Sequence, residues 1–152
     1  MAEQVQVVID PMRLRDIPGV LIVEKLCFTT PWSRSAFLSE LLENERAYYV
    51  VAKVKDRVVG YGGVWLIAGE GHITNVAVHP EFQRQGIGRR IMLTLEELVR
   101  SRGGDRLTLE VRVSNVWARH LYRSLGFYDG GLRKGYYRDN NEDAVIMWKD
   151  LE

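Results

Sequence analysis

The run Gln83-Arg84-Gln85-Gly86-Ile87-Gly88-Arg89 has the residue types and spacing to grip an anion. Its glycines let backbone N–H groups come close to a ligand, and a helix starting there adds partial positive charge suited to a pyrophosphate. Arg84, Arg89 and Arg90 add full charges. No Gly-Lys-Ser/Thr follows, which excludes a Walker loop, and the third glycine and the well-placed acid of a dinucleotide fingerprint are missing. From the glycines alone two readings stand: a seat for a pyrophosphate-bearing ligand, or a glycine-rich helix entry with a solvated basic face. Two residues further along could move protons. Glu110 sits on a strand, where it is either a base or a solvated carboxylate paired with Arg112. Tyr122 sits on an apolar helical stripe, where an aromatic is either a core residue or an acid with an accessible hydroxyl.

Other groups with potential chemistry are scattered. His72, His79 and His120 have no metal-ligand spacing with each other, with Cys27 or with the carboxylates, so no metal is expected. Cys27, the single cysteine, lies among apolar residues and reads as a buried core thiol. Trp32, beside Pro31, reads equally as a lining residue of a substrate mouth or as a packing anchor.

These side chains must be positioned by a fold of alternating helix and strand signals. Val5 to Ile9 is rich in β-branched residues and ends near Pro11, a first strand. Asp16 caps a helix to about Cys27, with Pro18 in its first turn, and Ser33 caps a second helix carrying Phe37, Leu41 and Leu42. Three β-rich runs follow, Ala47 to Val54, Val58 to Ile67 and Gly71 to Val78, the first two joined by a tight turn at Lys55-Asp56-Arg57. After Pro80 the period changes to that of a helix. Ile87, Ile91, Leu95, Leu98 and Val99 form its apolar stripe, and Gly103-Gly104 ends it. Leu107 to Val113 alternates as a strand with Thr108, Glu110 and Arg112 on one face. Ser114 or Asn115 caps the next helix, Gly126 ends it, and Arg133 to Tyr137 with Ala144 to Trp148 close the chain around the polar loop 138–143. The expected order is αα, a β-meander, then β-α-β-α-β-β, a mixed α and β class that is not doubly wound.

The 152 residues are enough for one domain, 1–152, with its own core, and hydrophobic and charged fractions of 46% and 27% exclude disordered and fibrous classes. A formal net charge of +1 gives no electrostatic pointer to nucleic acid or a membrane surface, and no apolar run approaches a span. A cytoplasmic monomer is expected.

The motif Gln83 to Gly88, placed after a strand like Ile73 to Val78, resembles the Gln/Arg-x-x-Gly-x-Gly/Ala signature of the GCN5-related N-acetyltransferases. Pro31-Trp32-Ser33, Leu109 to Arg112 with Ser114-Asn115, and Leu121-Tyr122 with Leu125-Gly126-Phe127 narrow the likeness to members that acetylate the N-terminal alanine of a small-subunit ribosomal protein; archaeal N-terminal acetyltransferases share much of the pattern. The resemblance covers most of the chain. It implies a mostly antiparallel sheet with flanking helices, splayed between strands 4 and 5, with acetyl-CoA in the split. It implies Glu110 as general base and Tyr122 as general acid. It further implies Val76, Ala77 and Val78 against the acetyl-pantetheine arm, Arg84, Gln85, Gly86, Ile87, Gly88 and Arg89 around the pyrophosphate, and Asn115 on the co-substrate. Trp117 and His120 stand where smaller residues are usual.

The implied chemistry is direct acetyl transfer in a ternary complex. An amine attacks a thioester only when neutral, and a protein α-amine, with a pKa near about 8, is an easier substrate than lysine at about 10.4. Glu110, its pKa raised by apolar neighbours, would take the proton, directly or through water; a backbone N–H near Val78 would hold the oxyanion, and Tyr122 would protonate the departing thiolate. The loop Asp139-Asn140-Asn141-Glu142-Asp143 reads as a solvated turn or, with Tyr136, Tyr137 and Arg138, as an acidic lip that attracts a basic peptide. Competing functions are acetylation of a lysine or a small-molecule amine, and a non-catalytic CoA-binding module.

Overall fold

The computed structural model describes residues 6–151. Eleven regular elements follow one another: β1 (Val7–Pro11), α1 (Ile17–Cys27), α2 (Arg34–Leu42), β2 (Ala47–Val54), β3 (Arg57–Ile67), β4 (Glu70–Val78), α3 (Ile87–Ser101), β5 (Arg106–Arg112), α4 (Val116–Ser124), β6 (Tyr128–Tyr137) and β7 (Glu142–Asp150), with short 3-10 turns before α1 and α3. The last strand of the meander is itself the first strand of the β-α-β-α-β-β run. All seven strands belong to one sheet, in the order β1-β2-β3-β4-β5-β7-β6. Every neighbouring pair is antiparallel except β4 and β5.

Sequence and structure differ at the ends. The first strand lies two residues later than expected and runs through Pro11, while Val5 falls outside the described residues. Proline is tolerated because β1 is an edge strand, paired on one side only. The closing strands are longer than expected. β6 begins at Tyr128, and a side chain at Gly130 would come within 2.1 Å of Cδ1 of Trp148. Gly130, which helps disguise this strand in the sequence, leaves the space that the Trp148 ring fills.

One face of the sheet is covered by α3, whose stripe Ile87, Ile91, Leu95 and Val99 meets Val59, Leu107, Leu109 and Met147 in the larger core. The other face carries α1 and α2, with Phe37 of α2 packed in a second core with Val51 and Tyr61 of the sheet. Asn115 caps α4 by accepting from Ala118 N at 3.1 Å, and Ser33 caps α2 by accepting from Ala36 N at 3.1 Å. Of the two caps proposed for α4, the structure uses Asn115. In the second core Glu24, 2% exposed, accepts from the Tyr61 hydroxyl and from Trp32 N at 2.7 Å, which fixes the chain after α1.

The feature that shapes the site is the junction of β4 and β5. Their parallel ladder joins Glu70 to Arg106, Gly71 to Leu107 and His72 to Thr108, and then stops. Beyond it the strands diverge into a wedge. A bulge at Thr74 shifts the β3–β4 register between Gly63 and Val64, re-aiming β4 as the wedge opens.

Candidate active site

His79 N donates to Val59 O, so at this end of β4 the odd-numbered backbone groups face β3. Strand alternation then turns the N–H and C=O of Val76 and Val78 toward the wedge, where β5 offers them no ladder partner. The Val78 carbonyl is taken by Cys27 Sγ at 3.2 Å and Gln83 Nε2 at 3.0 Å, leaving the Val78 N–H facing the gap. Cys27 is therefore not the fully buried core thiol expected from the sequence. It is half-buried at the cavity wall, and burial, followed by the nearby Glu24 charge, pushes its thiol pKa up.

On the α3 side of the wedge lies a cavity of about 520 Å³. Val76, Ala77, Val78, Arg84, Gly86, Ile87, Gly88, Arg89, Asn115 and Tyr122 all line it, so the fold gathers nearly all of the residues assigned to the co-substrate. Gln85 is exposed and does not line it, and Arg90 turns away to donate to Val7 O at 2.8 Å. Gly86 is the N-cap of α3 at φ 80°, and a Cβ there would meet nothing within 4 Å, so the conformation rather than space calls for glycine. The helix N-terminus behind it presents free N–H groups to the cavity, the arrangement that binds phosphates.

Glu110 lies on the other side of the wedge. It lines a second cavity of about 450 Å³ with Trp65, Glu70, His72, Thr108, Arg133 and Trp148. Its partner is His72, with Nε2 2.6 Å from Oε2, while Arg112 is occupied elsewhere. An ionised carboxylate only accepts, so the His72 Nε2–H donates. Burial by itself would raise the Glu110 pKa, but the His72 hydrogen bond and charge, with help from Arg133, outweigh it and hold the carboxyl below the usual range. The expected raised pKa is thus corrected: the sequence shows apolar strand neighbours but not the histidine opposite. His72 was the residue missed, and the parallel register that sets it beside Thr108 is a long-range fact with no local signal.

Tyr122 is half-buried in α4, its ring tilted against Phe127 at 5.9 Å, and burial pushes its phenol up to about 12. Tyr137 lies under the Arg112 guanidinium, which is 4.0 Å from its ring centroid, and burial pushes its phenol pKa up.

The 138–143 loop is not a free acidic lip. Arg112 binds Asp139 at 2.8 Å and Glu142 at 3.3 Å, Thr29 donates to Asp139 at 2.7 Å, and Asp143 accepts from Gly135 N at 2.8 Å. These contacts tie the β6–β7 loop to the segment after α1 and to β5, so its carboxylates are held in place rather than free. Trp32 packs on Phe37 at 5.3 Å between ring centroids, the anchor role. Among the described residues no group of three or more His, Cys, Asp or Glu could hold a metal ion, and no helix is long and apolar enough to cross a membrane.

Residues 18–127 match the Acetyltransferase (GNAT) family. The chain belongs to that family. This GNAT chain is 44% identical over 137 residues to a putative [ribosomal protein bS18]-alanine N-acetyltransferase of Bacillus subtilis, covering 90% of this chain and 91% of the relative. It is 34% identical over 141 residues to the [ribosomal protein bS18]-alanine N-acetyltransferase of Escherichia coli, covering 91% and 94%. A crystal structure of the Escherichia coli ribosomal-protein-S18-alanine N-acetyltransferase superposes with a TM-score of 0.88 at 32% identity, over 97% of this chain and 95% of that one. The GNAT fold and acetyltransferase class follow, and acetyl-CoA is the family's acetyl donor.

Proposed function

We propose that this GNAT chain transfers the acetyl group of acetyl-CoA to the N-terminal α-amine of a protein, the alanine of a bS18-type ribosomal protein being the substrate its relatives' names point to. The observation that carries the chemistry is the wedge itself. It opens on an anion-binding cavity with a phenol on one side and on a His-paired carboxylate on the other.

The acceptor comes in from the Glu110 side. Its neutral nitrogen attacks the thioester carbon, a C–N bond forms, and Glu110 takes the proton released, directly or through one water. The N–H of Val78 faces the place where the oxyanion develops. Collapse breaks the C–S bond, and Tyr122, kept protonated by its raised pKa, gives its proton to the thiolate. Water returns that proton to the phenolate. No covalent enzyme intermediate is needed. An α-amine suits Glu110 well, because a carboxylate held below its usual range is a weak base and favours an acceptor that is already substantially neutral near pH 8.

The test uses two peptides of one sequence, one beginning Ala-Arg with a free amine and one blocked there but carrying an internal lysine. Thiol release with the first only, lost in Glu110→Gln, is the expected result. Turnover on lysine or a free small amine only would replace the α-amine reading, and binding of acetyl-CoA without turnover on any amine would replace the catalytic one.

A further inference from the structure

Trp117 has no part in the acetyl-transfer steps, yet it stands 62% exposed at the start of α4 on the rim of the co-substrate cavity. An indole left in solvent at a cavity mouth loses apolar burial for no structural return. Across the mouth, the Arg84 guanidinium lies 5.7 Å from its ring centroid. Arg84 itself is held at φ 64°, in the left-handed region that a non-glycine residue adopts only under strain. Gln83 anchors that turn through Val78 O. Backbone strain and an exposed aromatic thus meet at one place, and strain of this kind collects where a ligand is held.

We propose that Trp117 is the stacking platform for the purine base of the acyl-CoA nucleotide, with Arg84 holding the adjoining phosphates. The inference rests on acetyl-CoA as donor, and it adds the site of the nucleotide end. A thioester at Val78 and a pyrophosphate at the N-terminus of α3 fix two points of an extended ligand, and its remaining end must leave past the α3 entry. There the cavity wall is Arg84 on one side and α4 on the other. The chemistry matches: an indole face stacks any purine, and a guanidinium already lying over that ring can pair with phosphate without leaving it.

The test compares Trp117→Ala and Trp117→Phe with the parent, using CoA, adenosine 3′,5′-bisphosphate as a nucleotide without the arm, and acetyl-pantetheine as the arm without the nucleotide. Stacking on one base predicts that Trp117→Ala binds CoA and the bisphosphate about tenfold more weakly by calorimetry, with most of the affinity restored in Trp117→Phe. Turnover of acetyl-pantetheine stays at the parent's rate, which also shows that the variant is folded. Unchanged CoA binding, or an equal loss with acetyl-pantetheine, overturns the proposal. The binding arm works whatever amine the enzyme prefers, and the turnover arm uses whichever amine the parent is found to acetylate. A parent that binds no CoA would overturn the donor reading together with this one.

Discussion

Replacing His72 by phenylalanine keeps a ring against Trp65, where the centroids are 6.2 Å apart, but removes the N–H that reaches Glu110. A hydrogen bond to a charged group contributes about 1.5–3 kcal/mol. The His72 side chain is 33% exposed, so solvent screening favours the lower end of that range. About 1.4 kcal/mol is a tenfold change in the balance between ionised and protonated carboxyl. A base with a depressed pKa goes on working as the pH falls; losing the depression brings its acid limb to higher pH. In the variant the burial of Glu110 is opposed chiefly by Arg133. The measurement is kcat/KM for an alanine-led peptide from acid to pH 8, taken as the ratio of variant to parent, in which protonation of the acceptor amine cancels. That ratio is expected to stay near one at pH 8 and to deepen toward about tenfold in acid. A ratio that is flat across the range, whether near one or far below it, would refute the argument that His72 tunes Glu110.

Tyr122→Phe is expected to lower kcat about 100-fold with little change in KM, since the proton is needed only as the thiolate leaves; the loss should shrink with an acetyl donor whose thiol is more acidic, and a loss independent of the leaving group would contradict the acid role. Gly86→Ala meets no steric obstacle, so only its φ of 80° opposes it, and thermal unfolding should show a loss of about 1–2 kcal/mol, with less for Gly86→Asn. Asp16 is 4% exposed, and although burial pushes its pKa up, the Lys53 ion pair at 2.7 Å and the Arg13 N–H bring it down. Asp16→Ala is expected to cost about 3 kcal/mol at pH 7. Because a depressed carboxylate pKa contributes stability above the unfolded value and loses it as pH falls through the folded one, denaturant midpoints of parent and variant should converge in acid. A gap that stays constant into acid would count against the ion pair.

What the sequence revealed depended on how local the signal was. The α3 stripe, the Gly86 turn and the Asn115 cap are set by neighbours within a few residues, and their positions were readable. The split between β4 and β5 followed only from resemblance, because no periodicity states where a parallel ladder stops. Residues whose meaning depends on a distant strand were harder to read. Arg90 went to β1, Asp139 and Glu142 paired with Arg112, and Glu110 acquired a His72 partner from β4 that reversed the sign of its pKa shift. Strand β6 was half hidden because its Gly130 answers to Trp148, distant in the chain and adjacent in space.

The short β4–β5 ladder divides the labour of the enzyme along the chain. Val76 to Gly88, proposed to hold the donor, come before β5, whereas the proposed base Glu110 lies on β5 and Tyr122 and the tied loop at 138–143 come after it. The Gly103-Gly104 turn, with Gly103 at φ 82°, is where one part hands over to the other. Changes in the last third of the chain therefore bear on both cavities, through Glu110 on one and through Asn115, Trp117 and Tyr122 on the other. On the proposed mechanism the reaction takes place at the seam, so a shift in how the two parts are aligned is expected to register first as lost turnover, before either part has lost its own packing.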